Sequence, residues 1–391
     1  MSQQLINHSP DLKRLRDEGY EIEVRGGYLL IHHIPYVNNS KVVQLGTLVT
    51  NLTMAGNVTT RPNTHVIYFA GEHPCNMDGT IITAIRHSSQ PQNFGDNIVV
   101  NHSFSNKPVA GYPDYYEKVK RYAEIISAPA KAIDDTATEK TFKPVDAVNS
   151  GSVFKYIDTN SSRANINNIN AKLEGQKVAI IGTGGTGAYV LDLLAKTPVT
   201  EIHVYDGDKF LQHNAFRSPG AASFSVLEQG LPKAEYFADI YSHMHSGIVA
   251  HPFYLKADKL SELDLMTFVF LCIDNNASRK VIINYLLTKG INFIDVGLGV
   301  NLVGDKLIGG VRVTAATAAK HDHLTNRIPD EENDNNAYAT NIQIADLNSL
   351  NASMAVIKWK KLCGFYQDLE QEHHSSYDIN VNKIFNEDDT A

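Results

Sequence analysis

The stretch KVAIIGTGGTGAYVLDLLA, beginning at Lys177, constrains this chain more than any other. A β-branched apolar run ends in Gly182-Thr183-Gly184-Gly185-Thr186-Gly187 and passes directly into apolar residues at helical spacing. Glycines spaced G-x-G-x-x-G let a strand turn tightly into a helix, and the free N–H groups at that helix start can approach a phosphate. The pattern predicts a strand, turn and helix opening a nucleotide-binding unit. About twenty residues further on, EIHVYDGD reads as a second strand ending in Asp206, where a carboxylate can accept hydrogen bonds from ribose hydroxyls, with Asp208 beside it. These residues alone suit a redox dinucleotide such as NAD as well as ATP.

From Lys177 onward strand and helix signals alternate through FVFLCID, RKVIINYLLTKG and NFIDVGLGV. That rhythm predicts an α/β fold with a mostly parallel sheet and helices on both faces. A strand (LIGGVRVT), an acidic stretch containing IPDEENDNN, a long helix ending in KWKKLCGFY and an acidic C-terminal tail follow. Before it, DLKRLRDEGY reads as a helix, EIEVRGGYLLIHHIPYV as a hairpin and THVIYFAGEHPC as a strand entering a turn. With 391 residues, 43% of them hydrophobic, the chain can bury the cores of about two or three domains. We expect a smaller α+β domain over 1–150 and the nucleotide-binding domain over 151–391. Between them the apolar pattern thins from about Ile126 to Asn170, as a linker would.

The net charge of −8, with dispersed Lys and Arg, argues against nucleic acid or a membrane surface as the main partner. The N-terminus lacks the apolar stretch of a secretory signal and no run is long enough to span a bilayer, which predicts a cytoplasmic protein. Three cysteines, Cys75, Cys272 and Cys363, form no C-x-x-C pair, so no disulfide framework and no structural zinc are expected.

The residues after Asp206 favour ATP over NAD. HNAFR supplies Asn214 and Arg217, LPKAEY places Lys233 at a helix start, and FLCIDN puts Asp274 at a strand end on the edge that lines the ligand crevice of open α/β sheets. Dinucleotide pyrophosphate is handled largely by backbone, whereas a triphosphate with Mg²⁺ calls for added cations and an oxygen ligand for the metal. Lys233 also sits where the helix dipole disfavours a cation, so an anion should repay it. Asp274, followed by Asn275 and Asn276, could alternatively serve as a helix cap.

GTGGTG, VYDGD, HNAFR, LPK and CIDN, in this order and spacing, resemble the adenylation domain of the ThiF/MoeB/HesA ubiquitin-activating superfamily over about residues 160–366. The resemblance implies a Rossmann-like adenylyltransferase, an activating enzyme for ubiquitin-like modifiers. It would use ATP and Mg²⁺ to adenylate the C-terminal glycine carboxylate of a ubiquitin-like protein in a bacterial conjugation or sulfur-carrier-type system. Carried across, Gly182, Gly184, Gly185 and Gly187 would cradle the nucleotide, Asp206 would hold the ribose, and Asp208 would belong to the same cofactor-binding set. Asn214, Arg217 and Lys233 would grip the phosphates, and Asp274 would ligate Mg²⁺. Arg163, in NSSRANI, stands where relatives place an arginine reaching the partner subunit's ATP, which implies a homodimer. Adenylation of a small molecule, a peptide or an RNA group is the alternative within the fold; NAD-dependent oxidation is the alternative outside it.

Relatives that form a thioester use a cysteine beyond the adenylation motifs, and 276–340 contains none. Cys272 reads as a buried small side chain and Cys363 as helix packing. Cys75, at a strand end beside His73, is the remaining candidate thiol: it reads as the most exposed of the three, and a neighbouring imidazole can activate a thiol, but a structural turn in a domain that recruits the ubiquitin-like substrate is the favoured reading. Its setting has a faint similarity to ubiquitin-conjugating enzymes, although there the cysteine follows the His-Pro-Asn motif by several residues. The pairs His32-His33, His321 with His323, and His373-His374 lack metal spacing. The acidic run is expected to be a loop crossing the active site.

Overall fold

The structure, a computed structural model, describes residues 2–145, 147, 151–328 and 342–389. The acidic run and the crossing loop expected of it therefore lie outside the described residues, apart from Ile328 at its start. The chain divides into two compact units, Met1–Gly151 with Tyr156–Asn165, and Ser152–Lys155 with Ile166–Ala391.

In the first unit, helix α1 (Pro10–Asp17) precedes an antiparallel sheet of β1 (Glu21–Arg25), β2 (Tyr28–Val37), β3 (Val43–Asn51), β4 (Val66–Ala70), β5 (Arg86–Ser88) and β6 (His102–Ser105), in the order β1-β2-β3-β4-β6-β5. The expected hairpin is present, closed by Gly26-Gly27 with Arg25 opposite Tyr28. Helix α2 (Tyr115–Ile133) starts at Asp114, whose side chain accepts from the Glu117 N–H at 2.8 Å. Its buried stripe of Tyr115, Val119, Tyr122 and Ile126 shares a core with Leu29, Ile31, Phe69 and Phe104 of the sheet. Where the sequence suggested that a linker begins at Ile126, the helix runs through Pro129 to Ile133, because buried Ile126 and Ala130 continue the stripe.

The second unit is built on an eight-stranded sheet. Its strands are β7 (Lys177–Ile181), β8 (Glu201–Tyr205), β9 (Ile248–His251), β10 (Phe268–Leu271), β11 (Asn292–Val303), β12 (Lys306–Ala316), β13 (His374–Asp378) and β14 (Lys383–Glu387). The order is β9-β8-β7-β10-β11-β12-β13-β14, parallel from β9 to β11 and antiparallel beyond. Buried on both faces, β7 and β10 read as unbroken apolar runs rather than alternating ones. Helices α3 (Thr186–Leu194) and α6 (Ala345–Leu362) pack on one face, where Leu191, Ala352 and Trp359 meet Val178, Ile180 and Phe270. Helix α5 (Asn276–Lys289) covers the other, with Ile282 and Leu286 against Val269, Leu271 and Phe293. Helix α4 (Lys233–Ser242) links β8 to β9.

The acidic C-terminal tail is a correction: residues 374–387 form the hairpin of β13 and β14 and extend the sheet. Its acidic end is held by Arg327, whose Nε lies 2.6 Å from Asp388 Oδ2. Because β8 lies on one side of β7 and β10 on the other, the sheet reverses direction of growth at β7, and a crevice opens beyond the carboxyl ends of these strands.

Candidate nucleotide-binding site

A cavity of about 880 Å³ occupies that crevice. Gly182, Gly184, Gly185, Asp206, Asp208, Arg217, Lys233 and Asp274 line it, so the structure brings most of the sequence-selected residues together. Gly182 has φ +88°, and a Cβ there would stand 2.7 Å from the Cys272 carbonyl oxygen. A Cβ on Gly187 would come within 1.9 Å of the Gly182 carbonyl oxygen, so Gly187 supports the turn from behind. Gly184 differs: a Cβ there would meet nothing within 4 Å, so this glycine faces open cavity.

Asp206 is buried, and its carboxylate accepts from the Thr183 N–H at 2.7 Å, the Thr183 hydroxyl at 3.0 Å and the Asp208 N–H at 2.9 Å. It thereby locks the glycine turn onto the end of β8. Asp208 accepts from Lys233 Nζ at 2.8 Å and from the Tyr254 hydroxyl. The Lys233 hydrogen bond, and then that of Tyr254, hold the Asp208 carboxyl below its usual range, while the same carboxylate pushes the Tyr254 phenol up to about 12. Lys233 is the first residue of α4, where a cation is disfavoured, and Asp208 is the anion that repays it.

Asn214 is buried and is not among the residues lining the cavity; its Oδ1 accepts from the Leu211 N–H at 2.9 Å, while its Nδ2 has no hydrogen-bond partner. Arg217 lines the cavity with a buried Nε that likewise has none. Asp274 is exposed to the cavity. The alternative reading of Asp274 as a helix cap is corrected: Asn275 caps α5, its side chain accepting from the Ser278 N–H at 2.8 Å.

Several lining residues escaped the sequence reading. Tyr254 packs its ring against Gly207, where a Cβ would be 2.7 Å away. Asn348 of α6 is buried, accepts from the Thr186 hydroxyl at 2.9 Å and donates to the Arg217 carbonyl at 3.3 Å, tying α6 to the glycine turn. Asn351, one turn on, donates to the Gly297 carbonyl at 3.0 Å. No signal in the sequence marks these two asparagines, because α6 also carries Asp346, Ser349, Ser353 and three lysines. Asp295, fully buried at the end of the FID run, pairs with Arg279 at 2.9 Å and Arg312 at 2.6 Å.

Arg163 lies outside this cavity's lining, exposed at the end of the short helix Thr159–Arg163 in the first unit. The expected exposure of Cys75 is overturned, and its setting is that of the structural turn. Cys75 is 1% exposed, its backbone bridges Val37 and Ile81, and its thiol donates to the His73 carbonyl at 3.2 Å. Burial, then Glu72 and Asp78, push that thiol up, and burial holds the His73 imidazole down, the opposite of thiolate activation. Cys272 lines the cavity half-buried, and burial raises its thiol as it does that of Cys363. Among the described residues no group of three or more His, Cys, Asp and Glu could hold a metal ion, and no helix is long and apolar enough to cross a membrane.

A model of a domain of unknown function (DUF6791) matches residues 10–159, and the ThiF family model matches residues 155–368. No curated protein matches the chain. Among solved structures, the microcin C7 biosynthetic enzyme MccB in complex with N-formylated MccA matches at a TM-score of 0.47 with 18% identity, over 70% of this chain and 87% of that one. E. coli MccB with succinimide matches at 0.43 and 16%, over 56% of this chain; the match spans 66% of that chain, just under two thirds. The E. coli tRNA N6-threonylcarbamoyladenosine dehydratase TcdA matches at 0.40 and 15%, over 52% and 92%. The ThiF model covers more than half of the chain, a span that includes the glycine turn, Arg217, Lys233 and Asp274, and the chain belongs to the ThiF adenylyltransferase family.

Proposed function

We propose that this protein uses ATP and Mg²⁺ to adenylate the C-terminal carboxylate of a ubiquitin-like protein ending in glycine. The observation that carries this reading is the convergence, in one crevice, of the glycine turn, Arg217, Lys233 and Asp274. Two features fit an anionic nucleotide: the unpartnered buried Nε of Arg217 and the open face of Gly184, where a phosphate can approach backbone N–H groups. Mg²⁺ is usually held by one or two carboxylates together with phosphate oxygens and water, so Asp274 as sole protein ligand fits it.

In the reaction, an acceptor carboxylate oxygen bonds to the α-phosphorus, the bond from that phosphorus to the β-phosphate bridge breaks, and pyrophosphate leaves with the electron pair. Lys233 and Arg217 stabilise the charge that develops on the phosphates. The magnesium ion supplies charge neutralisation at the phosphates when bound at Asp274. Asp206 holds the turn that positions the nucleotide, and Asp208 keeps Lys233 aimed into the crevice. The active unit in this reading is a homodimer to which Arg163 is contributed by the partner subunit, and Cys75 has no covalent role.

The test is ATP–pyrophosphate exchange with Mg²⁺ and ubiquitin-like proteins ending in glycine, comparing wild type with Asp274→Ala. Exchange that requires both the added protein and Asp274 supports the reading and identifies the substrate. ATP binding without exchange for any protein tested redirects it to a small-molecule, peptide or RNA acceptor. No ATP binding overturns it.

A further inference from the structure

The cavity extends well beyond the nucleotide motifs, across β11, β12 and β13. Register places Gly297 opposite Arg312 and Gly299 opposite Gly310, so these residues lie on one face of the sheet with Asp295 and Thr314. The floor of this half is a strip of glycines. A Cβ on Gly297 would stand 2.8 Å from Arg312 Nε, so the missing side chain makes room for the guanidinium. A Cβ on Gly299 would meet nothing within 4 Å, which leaves open space above the strip. Asp378 borders it opposite Gly310, with one carboxylate oxygen accepting from the Asn380 N–H of its own turn at 2.8 Å.

Asp295 is fully buried and pairs with both Arg279 and Arg312, which line the cavity; Asp378, also in the lining, is the second carboxylate at this end, so the charges here balance. The Arg279 side chain is 8% exposed and that of Arg312 18%, so Arg312 is the guanidinium that a ligand can reach. Arg312 is also partly spoken for. Its Nη2 donates to Asp295 at 2.6 Å and its Nη1 to Thr314 Oγ1 at 2.7 Å, which fixes the plane of the group and leaves further N–H donors for a ligand.

We propose that Arg312 determines acceptor specificity by binding an anionic chain end laid over the Gly297–Gly299–Gly310 strip, and that Asp295 is its positioning residue. This rests on the carboxylate-activation reading above and adds to it a residue and a shape requirement. The acceptor taken here is an extended peptide end with a free carboxylate and small residues, because the glycine floor admits a backbone and the guanidinium rewards the charge.

The experiment uses the full chain and two synthetic probes, a peptide ending in Gly-Gly as the free acid and the same peptide as its C-terminal amide. Titration calorimetry onto the ATP-saturated protein gives acceptor affinity, titration with ATP gives nucleotide affinity, and ATP–pyrophosphate exchange separates KM from kcat. Wild type should prefer the free acid. Arg312→Gln should raise the acceptor KM by about tenfold, the scale of one charge-assisted hydrogen bond, with ATP affinity and kcat within about twofold. Arg312→Lys, which keeps the charge, should recover part of the loss. Gly299→Val places its side chain in open space, so it folds, and it should weaken the acceptor without weakening ATP. An Arg312→Gln protein that binds the free acid as tightly as wild type, or loses ATP affinity in step with acceptor affinity, overturns the proposal. If wild type binds ATP yet performs no exchange, the adenylation reading fails first, and equal binding of acid and amide then overturns this one as well.

Discussion

Buried polar groups meet opposite surroundings at two places in the molecule, one in each unit, although His73 Nε2 and His102 Nδ1 of the first unit are also buried without partners. In the first, Lys118 is fully buried and closed on its own surroundings, Nζ donating to Thr50 Oγ1 at 2.8 Å and the Thr64 carbonyl at 3.0 Å, and the Cys75 thiol is closed on the His73 carbonyl. In the second, Arg217 Nε and Asn214 Nδ2 are buried without partners, and two arginines share one buried carboxylate beside an open cavity. Burial of a reactive group therefore does not by itself mark a site. What marks one is hydrogen-bonding capacity left unmatched where space remains for a ligand.

The sharpest way to break this contrast is at Gly187. Gly187→Val drives a side chain into the Gly182 carbonyl, and overpacking of this kind costs about 1–3 kcal/mol, so ATP affinity should fall by about fivefold or more in calorimetric titration. Undiminished ATP binding would show that the turn does not hold the nucleotide.

A second test addresses the first unit. Burial holds the Lys118 ammonium down to about 7, below its unfolded value near 10.5. Between those values the unfolded chain binds a proton that the folded chain does not, so stability rises with pH by up to about 1.4 kcal/mol per unit and is lowest below about pH 7. Lys118→Met should remove that slope and stabilise the unit at neutral pH. The readout is amide hydrogen exchange within Tyr115–Ile133 between pH 7 and 9, taken as the difference between variant and wild type. Parallel slopes for the two proteins would refute the assignment.

The smallest effect is expected at Cys75. Cys75→Ala should leave ATP–pyrophosphate exchange within about twofold, since the thiol is buried and raised, and the wild-type thiol should resist alkylation until the unit unfolds. Rapid alkylation of the native protein would restore a reactive role.

The nucleotide half of the site was legible because its chemistry is local. Gly182 to Gly187, Asp206 and Asp274 sit at strand ends whose apolar runs announce them, and the spacing of G-x-G-x-x-G is a property of one turn. Asn348 was not legible, because nothing in NIQIADLNSLNASM says that this helix returns to contact Thr186, 162 residues earlier. The exposure of Cys75 was misread for a related reason: a turn near a strand end suggests solvent, whereas bridges to Val37 and Ile81 bury it.

The sequence by itself determined the alternating α/β order, the glycine turn and the family of chemistry, since backbone sterics, strand and helix periodicity and capping act over a few residues. Only the tertiary structure decided that Asp208 rather than solvent faces Lys233, that the acidic tail is a pair of sheet strands, and that Asp295 draws Arg279 and Arg312 together over a glycine floor. Those outcomes depend on strand order and register, which are set by how distant apolar faces pack, and packing over such separations leaves no periodic trace in the chain.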